Sequence, residues 1–467
     1  MFPSILAVNK DKRIKNIFTI LLLIGLVKIF GLHTLLFEKD IDVEFDYPLS
    51  ENIYPYVEQM RNNDKPSISP INVYNYSFLS SCEDKCKSDS EIRLVIIVKS
   101  AMHNFHRRSA IRKTWGFENR FSDVVIKKVF VLGVDGGADK SLQEAIDAES
   151  KKHDDIVQAN FQDSYFNNTV KTMMGFTWAM RFCPAAKFYM FSDDDMYISV
   201  KNVLRFIRNP SHYPEYLLFK DTKIFNIRKL FILQTMKYVF KNKNCFEKNE
   251  NRISKRTNNI FYTPQINTKL MQTHSSFIGP RTFNLIPKHI QTTDKISLYI
   301  KELKLWLYGA DNILVLFFFF NNLLCHGSID YSHSEFLSQD LVHLFAGFVF
   351  KSSPHRHLTS KWYISLEEYP WNRWPPYVSA GAYILSQEAL ISVYYASHFV
   401  KHFRFDDIYL GIIAKKMAME PFHCKEVYFY KKDYNLHNYR YVVASHGYDN
   451  TEELISVWNE QKAAGNA

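Results

Sequence analysis

The stretch KFYMFSDDDMYISV, residues 187–200, places three carboxylates, Asp193, Asp194 and Asp195, directly after the apolar run 188–191. The run reads as a buried strand. Adjacent like charges repel unless they are hydrated or partnered. Two readings are open here. Aspartate suits the turn that ends a strand. Clustered carboxylate oxygens also suit a hard divalent cation such as Mg²⁺ or Mn²⁺.

The flanking sequence favours the cation. IRLVIIV (92–98) and VIKKVFVLGV (125–134) read as buried strands, and NFHRRSAIRKTWG (104–116) as a basic helix closed by Gly116. DKSLQEAIDAESKKH (139–153) and TVKTMMGFTWAMRF (169–182) read as further helices. Strand–helix–strand alternation predicts a parallel α/β sheet. Ligands of such sheets sit beyond the carboxyl ends of the strands, where the triplet stands.

The N-terminus carries a different signal. Residues 17–37 form an apolar run, interrupted by Lys28, that is long enough to cross a bilayer. Lys10, Lys12, Arg13 and Lys15 precede it, and Glu38, Asp40, Asp42, Glu44 and Asp46 follow. Basic flanks stay cytoplasmic, so the bulk of the chain is expected on the far side. No small-x-small pattern follows the run, which favours an uncleaved signal-anchor over a cleaved signal peptide. The expected organisation is a tail (1–16), a transmembrane helix (17–37) and a polar stem (38–90) with prolines at 48, 55, 66 and 70. Sequons at Asn75 and Asn167 fit a lumenal location.

Residues 223–335 differ in composition. They hold 16 Lys plus Arg against 7 Asp plus Glu, so they carry most of the formal charge of +10. The basic balance belongs to this segment and not to a coherent basic face, which argues against nucleic acid as a partner. The segment is rich in Lys, Asn, Ile, Phe and Tyr and includes NILVLFFFFNNLL. A translated intron is one reading of that bias, and a genuine insertion is the other. Six cysteines, at 82, 86, 183, 245, 325 and 424, allow one or two disulfides.

Several motifs in order then carry a resemblance. They are RRSAIRKTWG, DSYFNNTVKT, CPAAKFYMFSDDD, YPEYL, EEYPWNRWPPYVSAGAY, HFRFDDIYLGI and VVASHGYDNTEELISVW. Together they resemble the Golgi β-1,3-galactosyl- and N-acetylglucosaminyltransferase family, over residues 91–222 and 336–467. The resemblance implies a GT-A-like, Rossmann-type mixed α/β sheet flanked by helices, and an inverting, Mn²⁺-dependent transfer from a UDP-sugar. It implies a single-pass type II Golgi membrane protein acting on a glycolipid or glycoprotein glycan. N-acetylglucosamine is the favoured sugar and galactose the alternative. A lumenal sugar-binding protein without catalysis, or a glycoside hydrolase, would also use this kind of surface.

The resemblance also implies roles for residues. Asp193, Asp195 and His446 would hold the metal, with Asp194 near the ribose. Asp407 would be the base that deprotonates the acceptor, with Asp406 beside it. Either aspartate could instead cap the helix that follows. Arg112 and Lys171 would meet the diphosphate, and Trp115 would pack under the site. Gly381 and Ala382 would let the donor sugar approach the backbone. Trp371, Trp374 and Tyr377 would offer faces to the acceptor, although aromatics also fill cores. A Cys183–Cys424 bridge completes the expectations.

Overall fold

The computed structural model describes residues 4–31, 34, 37–47, 52–87, 91–136, 140–208, 210, 227–242, 283–284, 286–293, 295–309 and 342–467. The YPEYL motif lies outside these residues. The chain divides into two compact units, residues 1–207 with 333–467, and residues 208–332.

The first unit begins with α1 (Ser4–Ile29), α2 (Tyr54–Arg61) and the short strand β1 (Phe78–Ser80). There follow β2 (Ile92–Lys99), α3 (Phe105–Lys113), β3 (Val125–Val134), α4 (Lys140–His153), β4 (Ile156–Gln162) and α5 (Asn168–Phe182). Next come β5 (Phe188–Asp193), β6 (Tyr197–Ile198) and α6 (Val200–Arg208). The second unit holds α7 (Ile227–Lys241), α8 (Lys288–Gln291) and α9 (Ile296–Gly309) around Met236, Phe283, Tyr299 and Leu303. The first unit resumes with β7 (Phe345–Phe350), β8 (Tyr377–Ser386), α10 (Gln387–Ser397) and α11 (Asp406–Lys416). It closes with β9 (Phe422–His423), β10 (Val427–Tyr428), β11 (Ala444–Ser445) and α12 (Thr451–Ala463).

Eight strands form one sheet in the order β1-β4-β3-β2-β5-β8-β7-β9. The run β4-β3-β2-β5 is parallel, whereas β8 pairs antiparallel with both β5 and β7. The result is a mixed sheet flanked by helices. The central runs of β2 (94–98) and β5 (188–191) are continuously apolar, as strands buried on both faces require. Helix α5 supplies one cover, and Phe176 stacks on Phe191, which stacks in turn on Tyr383. A small sheet, β10-β11-β6, stands beside the main one.

Three expectations need correction. The apolar run 17–37 is not one helix, since α1 ends at Ile29 and Gly31 turns the chain with φ +69°. Among the described residues no helix is long and apolar enough to cross a membrane. The described part of the expected stem is not a free linker. Tyr47, Ile53 and Val57 are buried in the core, and β1 pairs with β4. Its apolar residues have a sheet and helices to cover, which the prolines concealed. Finally, Cys183 bonds to Cys86, with Cα atoms 5.3 Å apart, while Cys424 is a free buried thiol. The bridge staples the N-terminal segment to the end of α5. Of the sequons, Asn75 is exposed, and the side chain of Asn167 donates to the Gln162 carbonyl just ahead of α5.

Cys183→Ser should destabilise the protein by about 2–4 kcal/mol, since the bridge closes a long loop. Chemical denaturation checks this, and non-reducing peptide mapping should recover a Cys86–Cys183 peptide. Replacing residues 223–335 by a flexible linker should leave the first unit folded, because the sheet and main core lie outside the second unit. Loss of cooperative melting in that variant would contradict the expectation.

Candidate active site

The carboxylates gather where the sheet changes direction. Strand β5 ends at Asp193, and in the parallel β2–β5 ladder Lys99 is the register partner of Asp193. Lys99 is buried. Its Nζ lies 3.1 Å from Asp193 Oδ1 and 2.8 Å from Asp406 Oδ2, and donates to the Ala380 carbonyl at 3.1 Å. Burial alone would lower its pKa, but Asp193 and Asp406 more than offset this and raise it.

The three aspartates separate in role. Asp194 is buried and accepts from Ser100 Oγ (2.6 Å), Asn104 Nδ2 (2.9 Å) and Arg107 (2.8 Å). Asp193 and Asp195 stay freer. Their carboxylate oxygens and a ring nitrogen of His446 all lie within 4.8 Å of one another. The small sheet makes this possible, because Ser445 pairs with Tyr197 and so carries His446 back over the triplet. Gly381 on β8 helps, since a Cβ there would meet His446 at 3.4 Å and Met196 at 3.3 Å. Trp115 is buried beneath and donates to the Met196 carbonyl at 3.0 Å.

Burial raises the pKa of Asp195 to about 6, helped by Asp193 and Asp194 and opposed by His446. Asp195 Oδ1 is buried without a hydrogen-bond partner. A carboxylate with one buried, unpartnered oxygen, its other oxygen 3.5 Å from His446 Nε2 and a second carboxylate nearby, is a poor resting arrangement for protein alone. It fits a divalent cation of the Mn²⁺ type, which accepts oxygen and imidazole ligands.

On the other side of Lys99, α11 opens with Asp406 and Asp407. Asp406 is buried and accepts from Lys99 (2.8 Å), Thr172 Oγ1 (2.7 Å) and Asn168 Nδ2 (3.3 Å). Burial opposes its ionisation, yet Lys99 and these donors hold its pKa below the usual carboxylate value. Asp407 has no such cation. Burial, then the charge of Asp406, push it up to about 7. Two adjacent carboxylates are thus held with opposed shifts, one below and one above the ordinary carboxylate range. Neither occupies the N-cap, which is Phe405 without a side-chain cap bond. Asp407 Oδ1 accepts the Ile408 N–H at 2.8 Å.

Two adjoining cavities share this floor. One of about 470 Å³ is lined by Ser100, Asn104, Asp163, Lys171 and the three aspartates. The other, about 490 Å³, is lined by Trp362, Trp374, Tyr377, Asp406, Asp407 and His446, among others. Asp193, Tyr165 and Asn168 line both. Lys171 faces the first cavity but is buried, ion-paired to Asp163 at 2.7 Å and bonded to the Ser100 carbonyl. Tyr377 bonds Ser352 Oγ at 3.0 Å and stacks on Phe350.

Some expected site residues stand elsewhere. Arg112 is engaged by Glu149 (2.6 Å) and Asp155 (2.7 Å), in a network with Arg108 and Lys128 that ties α3 to α4. Arg107, on another face of α3, takes the place beside the triplet. Trp371 is core, packed on Tyr47 and Tyr369. Trp374 is mostly buried, 4.1 Å from the Tyr369 ring, and only borders the second cavity. Ala382 is buried in the β5–β8 ladder opposite Ser192, and it is Tyr377 and Ala380 of β8 that meet the second cavity. Lys99, Arg107, Asn104 and Ser100 were missed. Lys99 stands just past the predicted strand 92–98, and only the ladder register reveals its partners. Tyr383, whose buried hydroxyl has no hydrogen-bond partner, also faces the carboxylates.

Lys99→Met would leave Asp193 and Asp406 buried without their shared cation. The expected cost is about 3–5 kcal/mol of stability, read by chemical denaturation.

Comparison with known proteins follows this geometry. The Galactosyltransferase family model matches residues 106–257 and 318–425, which include the triplet and the Asp406–Asp407 pair. Beta-1,3-galactosyltransferase brn of Drosophila melanogaster is 32% identical over 451 residues, 96% of this chain and 96% of that protein. Human beta-1,3-galactosyltransferase 1 is 23% identical, over 84% of this chain and 81% of its own length. Lactosylceramide 1,3-N-acetyl-beta-D-glucosaminyltransferase of Xenopus tropicalis is 24% identical, over 89% of this chain and 78% of its own length.

Proposed function

We propose, from the premise that this chain belongs to the galactosyltransferase family and is a glycosyltransferase, that it moves a sugar from a UDP-sugar onto an acceptor glycan in β-1,3 linkage with inversion. The observation that carries the reading is the pairing across Lys99 of a cation-ready cluster with a carboxylate poised near neutrality. N-acetylglucosamine is the expected sugar. The names of the fly and human relatives favour galactose as the second reading. The apolar end of α1, with its basic flank, would associate the enzyme with a Golgi membrane, the catalytic unit lying on the lumenal side.

The residues divide the work as follows. Asp193, Asp195 and His446 would hold Mn²⁺, which when bound neutralises charge on the departing diphosphate. Asn104 and Asp194 line the first cavity, Arg107 bonds to Asp194 behind it, and together they would orient the nucleotide. Asp407 faces the second cavity, where an acceptor hydroxyl would approach. Its Oδ1 is fixed by the Ile408 amide, which leaves Oδ2 to take the proton as the new C–O bond forms. Lys99 keeps Asp406 ionised, and burial and then Asp406 raise Asp407, so the base is stronger than an ordinary carboxylate and is increasingly deprotonated as the pH rises through about 7. Tyr377 and Trp362 border the cavity and offer ring faces to a sugar.

Chelation by EDTA should abolish transfer, and Mn²⁺ should restore it; full activity in metal-free buffer would sink the metal assignment. Asp407→Asn should lower kcat by roughly two to four powers of ten while leaving UDP-sugar affinity nearly unchanged. Because Asp407 acts deprotonated, kcat/KM should rise with pH around 7 rather than around 4. A flat profile from pH 5 to about 8 would assign the proton transfer to another group. A screen of UDP-GlcNAc against UDP-Gal separates the two donor readings.

A further inference from the structure

From Ile17 onward, helix α1 exposes its apolar residues all round. Leu21, Leu22, Leu23 and Ile24 follow one another and each is at least 49% exposed. A helix that is apolar on every side, with no protein against it, calls for an apolar surrounding. Its C-terminal end, by contrast, is fastened. The Leu358 amide donates to the Ile29 carbonyl at 3.1 Å, and the Phe30 ring lies 6.3 Å from His357. The Arg356 backbone occupies the space a Cβ at Gly31 would need. Arg356 is itself buried, ion-paired to Glu38 at 2.8 Å and bonded to the carbonyls of Ile364, Ser365, Tyr369 and Trp371. The helix end and the loop 355–364 are therefore one body.

That loop begins a strip of exposed rings. Leu358 is 56% exposed and Trp362 44%. Trp362 Nε1 donates to the Tyr165 hydroxyl at 3.3 Å, and Tyr165 packs edge-on against Phe166. Tyr165 and Phe166 are 60% and 56% exposed. Lys361 Nζ lies 4.4 Å from the Trp362 ring and 5.9 Å from that of Tyr165. Tryptophan and tyrosine beside a snorkelling lysine are the composition of a membrane–water interface. The strip ends at the reaction clefts, since Tyr165 lines both cavities and Trp362 the second.

We propose that Phe30, Leu358, Trp362, Tyr165 and Phe166 form a docking face that lies in the headgroup layer of a phospholipid bilayer, so that the clefts open at the membrane surface. The occupant is lipid because the chain's own lipid-seeking helix joins the strip at one end. The inference rests on the membrane-anchored part of the proposed function.

The test uses the full chain, with Cys245→Ser and Cys325→Ser, in phosphatidylcholine vesicles containing brominated lipids. A fluorophore is placed through Leu358→Cys or, separately, Leu22→Cys. Shallow bromines should quench the label at 358, and deep bromines the label at 22. Quenching at 22 with none at 358 overturns the docking face and leaves the anchor standing; quenching at neither overturns both. In parallel, Leu358→Glu with Phe166→Glu should lower transfer to a vesicle-embedded acceptor by about tenfold or more. Transfer to a soluble glycoside bearing the same sugar should be unchanged. Equal loss on both acceptors, or no loss on either, overturns the proposal. If the parent chain transfers to neither acceptor, the donor reading fails, and the quenching arm still decides the docking face.

Discussion

One ammonium group governs this architecture. Lys99 Nζ is buried between Asp193 and Asp406, which belong to segments more than two hundred residues apart. Two carboxylates brought this close in a poorly hydrated place repel strongly. The shared ammonium converts that repulsion into a fixed distance between the Asp193–Asp195 cluster and the Asp406–Asp407 pair. The sheet register delivers it, since Lys99 and Asp193 are ladder partners. A slip of one residue would turn Lys99 to the other face and leave both acids unpaired.

The topology does the rest of the positioning. Strand β5 is where the sheet passes from parallel to antiparallel, so it has β2 on one side and β8 on the other. From β2 comes Lys99, and from β8 come Ala380 and Gly381. Helix α5 crosses this junction and sends Asn168 and Thr172 to Asp406. The small sheet folds His446 back from far along the chain. Each group stands on a regular element or within two residues of one, which keeps the geometry stiff.

Much of this was legible in the primary structure. The strands at 92–98 and 125–134 and the run before Asp193 announce themselves by continuous apolar residues. The aspartate triplet and the Asp406–Asp407 pair stand out as charge where a core strand or helix meets its end. What stayed hidden depends on contacts remote in sequence. RRSAIRK offers three arginines, and only the packing of α3 shows that Arg107 faces the triplet while Arg112 faces Glu149 and Asp155. Trp371 and Trp374 stand three residues apart in one motif, yet one fills core and the other borders a cleft. Strand β4 escaped notice because its sequence, IVQANFQ, mixes polar residues with apolar ones. The partner of Cys183 lay in a segment whose prolines made it look like a linker.

That segment also guards the sheet's margin. With only three residues, β1 pairs antiparallel with β4 along the outermost parallel strand. Bare strand edges recruit other chains into aggregates. A short, twisted cover strand, held nearby by the Cys86–Cys183 bridge, is therefore a safeguard on solubility as much as a part of the fold. Any proteolysis that trims the N-terminus must cut ahead of this cover, upstream of Tyr47, for the trimmed form to stay dispersed.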